Sequence, residues 1–286
     1  MNLRILRTGA WVILVAAFTS QVLAQDNSNQ IRPGVQLPFD LLSDFGVVVH
    51  GKINQVDGLR FLLDTGSSHS VIDRKVAESM GLNRYPAHVF NFDQALPIEW
   101  ADGAELRVGE LVATNMRVMV APLADISQYG ANADGILGLD VLSRAQKVVI
   151  DYSRRTVSFE LGQDCGSRPS AVKALLVTLA IQGVPMHLVV DTGLHDIVLY
   201  ADRVRRSLPH LHFEGKPTNA MIGRLPAREF YLRGIQLFCP EATTSIFLIE
   251  SAGRAEPTGI DGYLGTASLH ATRLELDFGA RVLRWE

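Results

Sequence analysis

Cysteine is scarce in this chain: two in 286 residues, Cys165 and Cys239. That excludes a disulfide-stapled scaffold and a thiolate-rich metal site, and neither cysteine has the spacing of a metal-ligand motif. Two readings of the pair stay open. They form one disulfide tying the middle of the chain to its second half, or they are two buried thiols. An excess of one charge is lacking as well. Lys and Arg number 27 against 30 Asp and Glu, for a formal net charge of −3. Nothing here supplies the basic patch that nucleic acid or anionic lipid requires, and Arg203, Arg205 and Arg206 read as the solvated face of a short helix. Beyond the N-terminus no apolar run is long enough to cross a bilayer.

The N-terminus itself has the pattern of an export signal. Arg4 and Arg7 precede an unbroken apolar stretch from Trp11 to Phe18, and Val22-Leu23-Ala24 supplies a cleavage site with small residues. Residues 1–24 are therefore read as a signal peptide cleaved after Ala24. The mature protein is expected to be periplasmic or secreted, with no stable membrane insertion. Residues 25–44, rich in Asn, Gln and Ser at the start, read as a flexible lead-in.

What the chain does have is a long internal repeat. Asp-Thr-Gly occurs at Asp64-Thr65-Gly66 and again at Asp191-Thr192-Gly193, each time after an apolar run. Average composition gives this tripeptide on the order of 0.05 times in such a length. Asp134-Gly135-Ile136-Leu137-Gly138 recurs as Asp261-Gly262-Tyr263-Leu264-Gly265, and both pairs are 127 residues apart (191 − 64, 261 − 134). Each half closes on a strand-like segment, 147–152 and 273–278. So long a period means two tandem domains rather than a solenoid. The boundaries read as 45–160 for the first, 161–170 for a linker and 171–286 for the second.

Within each half the pattern predicts a hairpin leading into the tripeptide, then a short strand and a short helix. The hairpins fall at 46–63 and 173–190, with turns at 54–58 and at Gln182-Gly183. The helices fall at 74–80, closed by Gly81, and at 202–207, closed by Pro209. The rest of each half is rich in short strands. The expected class is mainly β with a few short helices.

These motifs resemble the aspartic proteases, and in particular the retropepsin-like family. The matching elements are an apolar strand, Asp-Thr-Gly, and some sixty to seventy residues later two apolar residues and Gly, all of it present twice. The resemblance implies two closed β-barrel lobes related by a pseudo-twofold axis, with a cleft between them. It implies that Asp64 and Asp191 are catalytic. Two carboxylates that close share a proton, one acting as general base on water and the other as general acid. Coupled proteolytic dyads of this kind are a standard example of such sharing. Thr65 and Thr192 would bond across to the opposite loop. Gly66 and Gly193 would allow the tight turn, and Ser67 would donate to the outer oxygen of Asp64. Leu194 stands where Ser67 does in the first motif and has no donor. Ile136, Leu137 and Gly138, with Tyr263, Leu264 and Gly265, would pack behind the catalytic loops as structural support.

The implied activity is that of an exported aspartic endopeptidase acting on peptides or proteins as a monomer, with no metal or organic cofactor. The alternative is a pseudoprotease that binds peptides in the same cleft without turnover. The family also covers its substrate with a glycine-tipped hairpin from each lobe. Met221-Ile222-Gly223-Arg224 is the candidate in the second half. The first half offers only an Asp102-Gly103 turn, with Trp100 nearby as pocket wall or core. His69 and His195 read as equivalent positions inherited with the repeat. His210 and His212 alternate but lack a third ligand. Asp134, Asp261, Asp151 and Asp277 are given no catalytic role.

Overall fold

The computed structural model describes residues 34–91, 94–123, 133–162, 174–205, 208–222, 225–237, 243–250 and 259–286. The expected signal peptide (1–24), both cysteines, most of the expected 161–170 linker and the Gly223-Arg224 tip lie outside the described residues. The chain is mainly β, with three short α-helices among the described residues, at Arg74–Ser79, Leu139–Leu142 and Ala201–Val204.

Each repeat builds its own sheet. The first has eight strands. Val56–Leu63, which leads into Asp64, is paired antiparallel with Gly46–Ile53 and parallel with Gly135–Leu137. Lys52 and Ile53 also pair with Arg107 and Leu106, turning this sheet back on itself. The second repeat has seven strands. There Val184–Asp191 pairs antiparallel with Leu176–Ile181 and parallel with Gly262–Gly265. A single bridge, Ile181 to Ile235, stands where the first repeat has its returning ladder.

The 127-residue offset holds strand by strand. Leu62 faces Ile136, and Val189 faces Tyr263. Val71 faces Ile136 from the other side, and Val198 faces Tyr263. Burial explains the repeated apolar runs. Phe61, Leu63, Leu188 and Val190 fill one buried core, while Leu62 packs on the opposite side of its sheet. Strands buried on both faces read as continuous apolar runs rather than alternating ones.

A third sheet joins the halves. Lys147–Asp151 pairs antiparallel with Arg273–Asp277, and each continues into its own hairpin partner, Thr156–Glu160 and Val282–Trp285. Val149 faces Glu275 at the midpoint of this ladder, so the two hairpins are related by a local pseudo-twofold. Val148, Ile150, Leu274 and Leu276 from the central pair belong to the same buried cluster as the interiors of both repeats.

Three sequence expectations need correction. The lead-in is not wholly flexible: Gln36–Pro38 adds to the edge of Thr156–Glu160, and Asp40–Leu42 pairs with Gly46–Ile53. The first repeat does have a long hairpin, formed by Arg84–Asn91 and Gln94–Val108. The Asp102-Gly103 pair is no hairpin tip but a bulge inside the second of these strands, where the register slips between Ala101 and Ala104 and Gly103 takes φ +81°. The corresponding hairpin of the second repeat is Phe213–Ile222 with Leu225–Leu232, flanking the tip expected from the sequence.

Candidate active site

Both Asp-Thr-Gly loops sit where a strand leaves its sheet, and the parallel neighbour fixes the exit. The Asp64 N–H donates to the Leu137 carbonyl at 3.0 Å. Asp191 lies opposite Gly265 in the corresponding ladder. These are the two apolar-apolar-Gly segments expected behind the loops, buried there except for the half-buried Tyr263. A Cβ on Gly138 would come within 2.5 Å of the His69 carbonyl carbon, and one on Gly265 within 2.5 Å of the Asp196 carbonyl oxygen. Only glycine lets these backbones approach so closely.

The loops meet through their threonines. The Thr65 N–H donates to Thr192 Oγ1 at 3.1 Å, and the Thr192 N–H donates to Thr65 Oγ1 at 3.1 Å. Each hydroxyl then donates onward across the interface. Thr65 Oγ1 reaches the Val190 carbonyl at 2.7 Å, and Thr192 Oγ1 the Leu63 carbonyl at 2.9 Å. Both threonines are fully buried. The four bonds satisfy four backbone groups that burial would otherwise leave unpaired.

This arrangement brings the two carboxyls together. Asp64 and Asp191 are hydrogen-bonded to each other. Asp64 Oδ1 also accepts the N–H groups of Gly66 at 2.9 Å and Ser67 at 3.0 Å, and Asp191 Oδ1 accepts the Gly193 N–H at 2.8 Å. Each carboxyl lies against the other loop's glycine. A Cβ on Gly66 would stand 2.1 Å from Asp191 Oδ2, and one on Gly193 2.8 Å from Asp64 Cγ. Burial pushes both acids above the ordinary carboxylate range. Asp64 is partly held down by its two N–H donors. Asp191 is pushed further, by burial first and then by the charge of Asp64. The pair titrates as one unit, so the shared proton belongs to both.

Two support roles differ from expectation. The Ser67 hydroxyl does not reach Asp64. It donates to the His69 carbonyl at 2.7 Å, and only the Ser67 backbone contacts the carboxyl. His69 and His195 are not equivalent either. The strand register keeps the 127 offset through Val71 and Val198, so His69 corresponds to Asp196, and His195 to Ser68. The difference is already in the sequence: His69 follows Asp64 by five residues and His195 follows Asp191 by four. His69 packs edge-on against Trp100 at 5.1 Å, and His195 against Phe45 at 5.2 Å.

Asp140, unremarked in the sequence, is the polar group behind the first loop. Its Oδ1 accepts both the Ser70 N–H at 2.9 Å and the Ser70 hydroxyl at 2.7 Å, while Ser70 Oγ accepts the Gly138 N–H at 3.0 Å. Its Oδ2 is buried without a partner, and burial raises its pKa despite the Ser70 bonds. At the same offset the second repeat has Ala267 and Ile197. A buried acid in one repeat facing apolar residues in the other was a readable asymmetry. The four repeated aspartates are structural. Asp134 Oδ2 accepts the Arg60 N–H and Asp261 Oδ2 the His187 N–H, each at 2.8 Å. Asp151 and Asp277 accept backbone N–H groups in the turns that follow their strands. Among the described residues no three His, Cys, Asp or Glu side chains stand together as a metal site.

Residues 49–141 match the family model described as aspartyl protease. That segment holds the first Asp-Thr-Gly, the first long hairpin and the Ile136-Leu137-Gly138 strand. The match fits the aspartic-protease resemblance of the first motif. Among solved structures the chain is similar to a retropepsin-like aspartic protease from Rickettsia conorii. The identity is 16%, over 46% of this chain and 95% of that one, with a TM-score of 0.30. No curated protein matches the chain.

Proposed function

We propose that this protein is an exported aspartic endopeptidase with Asp64 and Asp191 as its dyad. The observation that carries the reading is the hydrogen-bonded carboxyl pair, both members raised in pKa by burial, at the floor of two loops locked by reciprocal threonine bonds. Such a pair does the two jobs that peptide hydrolysis needs. Its ionised member takes a proton from the attacking water. Its protonated member gives a proton to the scissile carbonyl oxygen, yielding a tetrahedral diol that collapses as the amine leaves. At both carboxyls desolvation favours the neutral form and backbone N–H donors the charged one, so the pair is suited to hold a single proton between them.

In this reading the chain supplies both lobes, each contributing one aspartate, and a single chain is complete. The long hairpins Arg84–Asn91/Gln94–Val108 and Phe213–Ile222/Leu225–Leu232 are the two flaps over the cleft. Export rests on the N-terminal pattern of Arg4, Arg7 and the apolar run to Phe18.

A second reading has one observation in its favour. Leu194 offers Asp191 no side-chain donor, which fits a cleft that binds peptides without turning them over. Its bulk packs among Val198, Tyr200 and Ile222, so it is accommodated rather than forced against the pair.

The test is digestion of a diverse peptide library by the protein from Gln25 onward, from acidic to neutral pH, with products read by mass spectrometry. Internal cuts that vanish in Asp64→Asn establish the peptidase. A folded protein that cuts nothing at any pH overturns it and leaves the binding reading.

A further inference from the structure

The two sides of the paired carboxyls are unlike, and strand register allows them to be compared residue by residue. In the first repeat Val71 pairs with Met119, and Met119 with Trp100. In the second, Val198 pairs with Phe247, and Phe247 with Glu229. Trp100 and Glu229 therefore hold the same place in the two sheets. Trp100 packs onto the apolar cluster that contains Val71 and Met119, with its indole edge-on to His69. Glu229 does nothing of the kind. Its carboxylate is taken up by the hydroxyls of Ser245 at 2.7 Å, Tyr231 at 2.8 Å and Thr218 at 3.1 Å.

A pocket of about 300 Å³ opens beside Phe247. Its apolar walls are Phe247, Leu194, Ile222 and Met221, Phe45 reaches it from the first repeat, and Ser43, His195 and Asp196 complete the lining. Leu194 is the residue directly after the second Asp-Thr-Gly, so this pocket adjoins the carboxyl pair. Its counterpart in the first motif is the small, polar Ser67. Met221 is 56% exposed, near the tip of the second long hairpin, a flexible apolar side chain at the mouth of the pocket. His195 stands edge-on to Phe45, so aromatic edges and faces line one end.

We infer that the cleft is one-sided: it takes a peptide with one large aromatic side chain seated against Phe247, Leu194 and Met221, and no side chain of that size across the dyad, where Trp100 stands. This rests on the reading of the cleft as a peptide site. Two ring neighbours and the apolar walls favour phenylalanine over lysine, which would lose its hydration there, and the one carboxylate in the lining, Asp196, is already bonded to His195 Nδ1 at 2.9 Å. Leu194 then has a purpose that a missing donor alone does not suggest, as the wall that replaces Ser67.

The test uses hexapeptides carrying Phe, Leu, Ala or Lys at each of the two positions flanking the central bond. Cleavage is measured with the intact protein and binding with its Asp64→Asn variant. Phe on one fixed side should exceed Lys there by on the order of 10–100-fold in kcat/KM and in affinity. Met221→Ala, at an exposed position that folding does not need, should reduce that preference several-fold, and Phe247→Ala should reduce it further. Trp100→Ala should admit Phe on the opposite side, a gain that mere damage to the fold cannot produce. Equal preference on both sides, or a preference unmoved by both Met221→Ala and Phe247→Ala, overturns the inference and leaves the peptidase standing. Binding with the expected preference but no cleavage overturns the peptidase and leaves the pocket. A folded protein that neither cuts nor binds any of these peptides overturns both.

Discussion

Thr65 and Thr192 each donate a backbone N–H to the other's hydroxyl, both at 3.1 Å, and each hydroxyl passes its own proton to a carbonyl of the opposite strand. The two loops are thus one hydrogen-bonded object. Thr65→Val should cost about 2–5 kcal/mol, because it strands the Thr192 N–H and the Val190 carbonyl in a buried setting. Thr65→Ser should cost far less, and the Thr65→Val/Thr192→Val pair should be strongly non-additive. Urea unfolding of the parent, Thr65→Val, Thr65→Ser, Thr192→Val and the double variant measures this. Additive losses would mean that the bonds are independent.

Glycine tolerance should differ between the loops. A Cβ at position 66 meets Asp191 Oδ2 at 2.1 Å, whereas at position 193 the nearest atom is 2.8 Å away. Gly66→Ala should displace the Asp191 carboxyl and remove activity entirely, with Gly193→Ala the milder lesion. Peptide cleavage by the two variants, beside their thermal unfolding, checks the order.

The pair should leave a mark on stability against pH. Both pKa values are raised, Asp64 by burial and Asp191 by burial and then by the charge of Asp64. The folded protein therefore keeps protons that the unfolded chain has already released, whose ordinary carboxylate pKa is about 4. The pair's contribution is fully present below that pH and is lost as pH rises through the raised folded values. Asp191→Asn removes the titration, so it should be more stable than the parent at neutral pH and should lose its advantage toward about pH 4. Melting temperatures of both proteins across this range decide it. Parallel curves would contradict the assignment.

Asp140 should behave as a positioning residue. Asp140→Ala leaves the Ser70 N–H and hydroxyl without their acceptor behind the first loop, and should cost about 2–4 kcal/mol. Asp140→Asn keeps an oxygen for both and also lifts the penalty on a buried carboxyl whose Oδ2 has no partner. It should be near-neutral or stabilising. Chemical denaturation of the two variants tests this, and equal losses would argue against the acceptor role.

Much of this architecture was legible because the chain states it twice. The paired Asp-Thr-Gly loops, the hairpins leading into them and the strands behind them all follow from repeated apolar runs with glycine at fixed offsets. The first long hairpin was not legible. Its tip lacks a glycine, while the glycine that stands out, Gly103, belongs to a bulge. The sheet joining the halves pairs residues over 120 positions apart, as Val149 does with Glu275, and no local pattern encodes that. The mismatch of His69 with His195 was legible by counting, 195 − 69 = 126 against the repeat's 127, and the strand register shows its consequence, since a slip of one residue exchanges which side chain reaches a given place. The Ser67 hydroxyl turned to its own loop because the His69 carbonyl lies within 2.7 Å, a local choice that short polar side chains make readily.

The central claim is that the two carboxyls act as one catalytic unit. The direct measurement is kcat/KM against pH for one peptide drawn from the library, with the parent protein, Asp64→Asn and Asp191→Asn, each verified as folded. The account predicts a bell-shaped profile for the parent, reporting the coupled pair, and loss of cleavage by at least about a thousandfold in both variants. Cleavage that survives either substitution, with its pH profile unchanged, would contradict it.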